Sequence, residues 1–154
     1  MSETIEQRLM RLGVELPIPP KAAASYVPTT LVGNTLVTSG QLPLKNGQLT
    51  TQGLLGSEID ATQGQLAAKC CAVNVLAQAK AALENLERIQ RLVKITVFVA
   101  SAPGFFEQHI VANGASDLFL SVLGEKGQHT RSAVGVAALP MNAAVEVEAT
   151  FEVA

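Results

Sequence analysis

Charge is what this sequence has least of. Only 16% of its residues are Asp, Glu, Lys or Arg, against roughly a quarter in ordinary soluble domains. A monomer so poor in charge has trouble covering its surface with polar groups, so part of that surface is expected to be buried against further copies. Tryptophan is absent, and the aromatics are one Tyr and five Phe. The eleven basic residues are scattered and the net charge is −2. With neither a basic stripe nor a stacking platform, nucleic acid is a poor partner.

Metal ligands are equally scarce. His109 and His129 lie far apart, and Cys70 and Cys71 are adjacent, outside any C-x-x-C or H-x-x-x-H spacing. Reduced thiols and no metal are the expectation. His129 could shuttle protons, but a lone loop histidine is more often ordinary surface. The start, "MSETIEQRLM", lacks a basic stretch followed by an apolar run, so no signal peptide is read. The longest apolar stretch, residues 66–86, is interrupted by Lys69, Lys80 and Glu84 and is not read as a membrane span. The expected location is cytoplasmic. Neither G-x-x-x-x-G-K, G-x-G-x-x-G nor G-x-S-x-G occurs, which removes the nucleotide cradles and the nucleophile elbow.

What is present is a succession of short elements within 154 residues, the size of one domain, 1–154. Thr4 and Gln7 suggest a capped helix over about 4–12, followed by a proline-rich extended lead-in through residue 19 and beyond. Gly33-Asn34 joins strands at about 28–32 and 35–39, and Asn46-Gly47 marks another turn. Asp60 and Gln63 open a long helix to about residue 86, with Leu66, Cys70, Val73, Ala77 and Leu83 on its apolar face. "RLVKITVFVA" reads as a buried strand with Val93, Ile95, Val97 and Val99 on one face and Phe98 on the other. Pro103 fits the first turn of a second helix through Phe106, Ile110 and Leu118 to about Val122. Gly114 within it costs about 1 kcal/mol relative to alanine. Two strands close the chain, beginning near Arg131 and Val145. The order β-β-α-β-α-β-β predicts an α+β fold, one sheet with two helices on one face. The other face is expected to be apolar and buried by assembly around an axis.

Two candidates for chemistry stand out. Arg131 opens its strand and shares a face with Ala133 and Gly135, so no bulky neighbour blocks a carboxylate from its guanidinium. An exposed strand-end arginine or a structural ion pair fits the same residues. Glu146, Glu148 and Glu152 share a face of the last strand, opposite Val145 and Val147. One beside apolar groups could move protons near neutral pH, although a solvated sheet face is the ordinary meaning of most such glutamates. Hairpin pairing puts Glu146 several residues out of register with Arg131. The two meet only through another strand order or across a subunit boundary.

Three blocks, "SYVPTTLVGNTLVTSGQLPL", "VKITVFVASAPGFFEQHIVANGASDLF" and "RSAVGVAALPMNAAVEVEA", resemble the YjgF/RidA family of enamine/imine deaminases over about residues 20–153. The resemblance implies a chorismate-mutase-like fold (bacillus type) assembled as a homotrimer with clefts between subunits. It implies hydrolysis of imines or enamines of 2-amino acids to 2-oxo acids and ammonia, with no metal or organic cofactor. Carried over residue by residue, it makes Arg131 the carboxylate binder and Glu146 the acid–base group. Tyr26, Ser39, Gly40 and Asn113 would complete the pocket. The sequence departs from the family pattern at Ala133, where many deaminases have cysteine, and at Ala24-Ser25, where Gly-Pro is usual. The N-terminal helix and residues 48–62 are additions that mark a longer branch. A non-catalytic binder of small carboxylates and a ribonuclease are the competing functions.

Overall fold

The computed structural model describes residues 2–154. Seven strands and three α-helices follow in the order α1 (Ile5–Arg11), β1 (Thr29–Val32), β2 (Thr35–Thr38), β3 (Leu44–Lys45), β4 (Gln48–Leu49), α2 (Ala61–Leu83), β5 (Ile89–Ala100), α3 (Gln108–Leu123), β6 (Thr130–Val136) and β7 (Val145–Val153). Five strands form one mixed sheet, β1-β2-β7-β5-β6, while β3 and β4 form a separate hairpin. Alternation in β7 sends Val145, Val147, Ala149, Phe151 and Val153 into the core, where α2 and α3 cover the sheet.

Local chemistry accounts for most boundaries. Both capping boxes are formed, Thr4 with Gln7 and Asp60 with Gln63, each satisfying amides at a helix start. Asn46 and Gly47 both take positive φ (53° and 78°), as a two-residue hairpin turn between paired Lys45 and Gln48 requires. α1 docks through Ile5 and Leu9, and its Arg8 Nη1 donates to the Val122 carbonyl at 3.3 Å. The added stretch before α2 is anchored by fully buried Leu55, whose amide donates to the Ala100 carbonyl at 2.8 Å. Of the two thiols, Cys71 is buried and Cys70 half-buried; burial pushes both up from the ordinary cysteine value, Cys71 the further. α2 is long and apolar enough to cross a membrane, but 61% of its most apolar window is buried by the rest of the chain, as in a core helix.

Several expectations are corrected. Of the predicted core face of α2, Ala77 and Leu83 are buried and Val73 packs against the core, but in its first turns the face is shifted by about one residue. Ala67, Ala68, Cys71, Ala72, Val75, Leu76 and Ala79 are buried, whereas Leu66 is 63% exposed. The small side chains face the sheet because they allow close approach, and a helix apolar on most sides does not reveal that preference through its larger residues. In β5, a register shift between Leu92 and Lys94 turns Leu92 inward and leaves Val93 at the surface. α3 begins at Gln108, not Pro103, because the Pro103-Gly104 turn places Gly104 at φ 87°. Phe106 therefore lies outside the helix and is exposed. Gly114 is no mere cost: a Cβ there would run into the Gln65 carbonyl, so the α2–α3 crossing depends on it. The outer sheet face is mixed rather than apolar, carrying Glu146, Glu148, Thr150 and Glu152 opposite Phe98, Thr96, Lys94 and Arg91. This is the alternation of an antiparallel strand covered on one side only.

Candidate functional site

The last two strands are not a hairpin. β5 lies between them, parallel to β6 with Ile95 opposite Arg131, and antiparallel to β7 with Phe98 opposite Glu146. Ile95 and Phe98 are three positions apart on one strand, so they mark opposite faces. Arg131 thus stands on the helix side of the edge strand and Glu146 on the outer side of the central one. Two strand spacings and three residues put their Cα atoms roughly 14 Å apart. Within one chain they do not share a site.

Each instead anchors its own cluster. Arg131 reaches from β6 to α3, where Nη1 donates to Asn113 Oδ1 at 2.9 Å and to Ser116 Oγ at 3.0 Å. Its Nη2 donates to the His109 carbonyl at 2.9 Å. Asn113 and Ser116 can both serve because positions i and i+3 share one face of a helix. Both Nη1 hydrogens are then engaged. Of the five guanidinium N–H groups, the Nε–H and one on Nη2 remain for a ligand, enough for the two oxygens of a carboxylate. Ala133 and Gly135 follow on the same face, where Ala133 packs against the core and the space over Gly135 is taken by the Gln108 amide and the Ser101 hydroxyl.

The second cluster surrounds Glu146. A Cβ on Gly40 would collide with the Glu146 carboxylate, so Gly40 is what lets the acid lie against the backbone after β2. Ser39 Oγ donates to the Val27 carbonyl at 2.7 Å, and the Ser39 amide to the Pro28 carbonyl at 2.8 Å, tying this turn to the lead-in. Tyr26 sits there half-exposed, with its hydroxyl accepting from the Ala23 amide at 3.2 Å. Glu146 itself is half-buried. Burial first, and the charge of Glu148 second, push its carboxyl up from the ordinary glutamate value, and no cation among the described residues lowers it again.

The structure therefore joins Arg131 with Asn113, and Glu146 with Gly40, Ser39 and the Tyr26 segment, but not the one set with the other. A groove of about 330 Å³ among α1, α2 and α3, lined by Leu12, Leu66, Lys69 and Asp117, contains neither set. No three His, Cys, Asp or Glu side chains are grouped as metal ligands would be among the described residues. Two residues of the Arg131 cluster escaped the sequence reading. Ser116 is buried between Arg131 and His129, and His129 is a bonded, half-buried ring, not a free loop side chain. The signal for Ser116 was its place one turn after Asn113, legible only once Arg131 is known to face α3.

Comparison with known proteins agrees with this architecture. A family model described as "YjgF/chorismate_mutase-like, putative endoribonuclease" matches residues 6–152. The chain is 49% identical over 152 residues to Protein TCP17 of Trypanosoma cruzi, covering 98% of this chain and 95% of that protein. The crystal structure of Atu1372 from Agrobacterium tumefaciens, a protein of unknown function, matches with TM-score 0.92 and 52% identity, covering 97% of this chain and 92% of that one. A "putative endoribonuclease" from Shewanella oneidensis matches with TM-score 0.96 and 34% identity, covering 98% and all of the respective chains.

Proposed function

The chain belongs to the YjgF/chorismate mutase-like family, and on that premise we propose that it is a cytoplasmic, cofactor-independent deaminase of reactive enamines and imines. The reaction hydrolyses the C=N bond of a 2-imino acid to a 2-oxo acid and ammonia. The working unit is a homotrimer, and the Arg131 cluster of one subunit faces the Glu146 cluster of the next.

The observation that carries this reading is the pair of guanidinium hydrogens left over after Asn113, Ser116 and the His109 carbonyl have oriented Arg131. A carboxylate docked on them is held by charge-assisted bonds to a head group that has little freedom left to lose. Glu146 supplies the proton chemistry. Its raised proton affinity keeps both protonation states accessible nearer neutral pH than an ordinary glutamate would. As the acid it donates a proton to the enamine carbon, giving the iminium ion. As the base it takes a proton from water, whose oxygen attacks the imine carbon. Glu146 then passes its proton to the carbinolamine nitrogen, ammonia leaves, and the hydroxyl proton returns to the Glu146 carboxylate as the carbonyl forms. Acid–base assistance of this kind contributes about 10²–10⁴-fold.

The test follows ammonia and 2-oxo acid released from freshly generated 2-aminoacrylate. Wild-type protein accelerates release and Arg131→Ala does not; equal rates overturn the proposal. A protein that binds 2-oxo acids through Arg131 but turns over no imine would be a carboxylate-binding protein instead. Cleavage of RNA that survives further purification and disappears with Arg131→Ala would move the assignment to a ribonuclease.

A further inference from the structure

Arg131 does not end its hydrogen-bond chain at α3. Ser116 Oγ, which accepts from Arg131 Nη1, lies 2.9 Å from His129 Nε2, and His129 Nδ1 lies 2.6 Å from the Gly127 carbonyl. A carbonyl only accepts, so Nδ1 carries the ring proton. In the neutral ring Nε2 is then a bare acceptor, free to receive the Ser116 hydroxyl proton. Every proton in the series points one way: Arg131 donates to Ser116, Ser116 to His129, and His129 to Gly127. Such a series polarises in one direction, and each member fixes the next.

The loop between α3 and β6 is shaped for this. A Cβ on Gly127 would come within 2.5 Å of the Phe119 carbonyl oxygen, so only glycine brings its own carbonyl this close to α3. Phe119 meets the His129 ring edge to face, with centroids 6.3 Å apart, and holds its plane. Ser116 is buried, and as a neutral group beside a guanidinium it needs an acceptor for its own proton.

We infer that His129 and Ser116 are positioning residues. Through Ser116, the Nδ1–H tautomer of His129 holds Arg131 Nη1 against α3 and so decides that the Nε–H and Nη2 hydrogens are offered to the ligand. The inference rests on the reading of Arg131 as the carboxylate receptor, but it is tested apart from turnover.

Nitrogen-15 spectra of the wild-type ring report the tautomer directly. Protonation at Nδ1 with bare Nε2 at pH 8 is expected, and any other form overturns the inference. In the same protein the Arg131 side-chain nitrogens are expected as separate, slowly averaging signals. Ser116→Ala and His129→Leu collapse them, while His129→Gln, whose side-chain oxygen reaches the place of Nε2, restores them. These signals judge the relay even if no imine is turned over. With 2-oxobutanoate as the probe, Ser116→Ala and His129→Leu weaken binding about 3- to 10-fold, what one hydrogen bond contributes, and His129→Gln recovers it. Turnover at saturating substrate stays near wild type. Equal behaviour of His129→Leu and His129→Gln, or a loss confined to saturated turnover, overturns the relay.

Discussion

At the edge of the sheet, Arg131 commits three of its N–H groups to Asn113, Ser116 and the His109 carbonyl. On the central strand β7, Glu146 has no ion-pair partner among the described residues and lies half-buried near another carboxylate. One region is saturated except where a ligand would bind. The other is left electrostatically unsatisfied. A group meant to hold an anion works best when its orientation is settled beforehand, whereas a group meant to exchange protons needs its two protonation states close in free energy. Because the two lie on opposite faces, one chain cannot bring them together.

The largest effect expected from breaking this comparison is on the proton-exchanging side. Glu146→Gln should lower saturated turnover by about 10²–10⁴-fold while leaving 2-oxo acid affinity nearly unchanged. Steady-state kinetics beside a binding titration separates the two. Arg131→Ala should weaken acid binding itself by roughly 2–4 kcal/mol, about 30- to 1,000-fold, and turnover is lost with it. If the sites are shared between subunits, unfolding and refolding the two inactive variants together should restore part of the activity. Mixtures no more active than either parent would place both groups in one chain's site and contradict the split.

Smaller effects sharpen the contrast. Gly114→Ala forces a Cβ onto the Gln65 backbone carbonyl, which cannot move aside, and should cost about 1–3 kcal/mol of stability by thermal melting. Gly40→Ala meets the Glu146 side chain from its carboxylate back to Cγ, and no backbone atom as closely, so the acid can swing aside. That variant should melt near wild type and lose turnover. The mildest effect is a pH dependence. Glu146 has its folded-state proton affinity raised, so the folded protein holds this proton more tightly than the unfolded chain. Its destabilising contribution is absent below about pH 4, grows as pH rises toward its raised value, and is constant above it. Melting of Glu146→Gln should therefore exceed wild type at neutral pH and converge with it in acid. The rising acid limb of kcat/KM should track the same ionisation.

Local grammar was legible from the sequence. The capping pairs Thr4–Gln7 and Asp60–Gln63, the Asn46-Gly47 turn and the inward valines of β7 each follow from a few neighbouring residues. So was the family, through "RSAVGVAALPMNAAVEVEA". The illegible parts are those that distant residues decide. The bulge that exposes Val93 is set by pairing with β7. The buried face of α2 is set by how near the sheet and α3 approach, which small residues permit and large ones do not. Arg131 and Glu146 each read correctly as strand residues on defined faces, but their relation depended on β5 entering between two strands consecutive in sequence. Ser116 and His129 could not be paired until β6 was placed beside α3.

The most direct test is a calorimetric titration of 2-oxobutanoate into wild-type protein, Glu146→Gln and Arg131→Ala under identical conditions. The account predicts one acid bound per chain with similar affinity in the first two and binding at least about 30-fold weaker in the third. Binding to Arg131→Ala as tight as to wild type would contradict it.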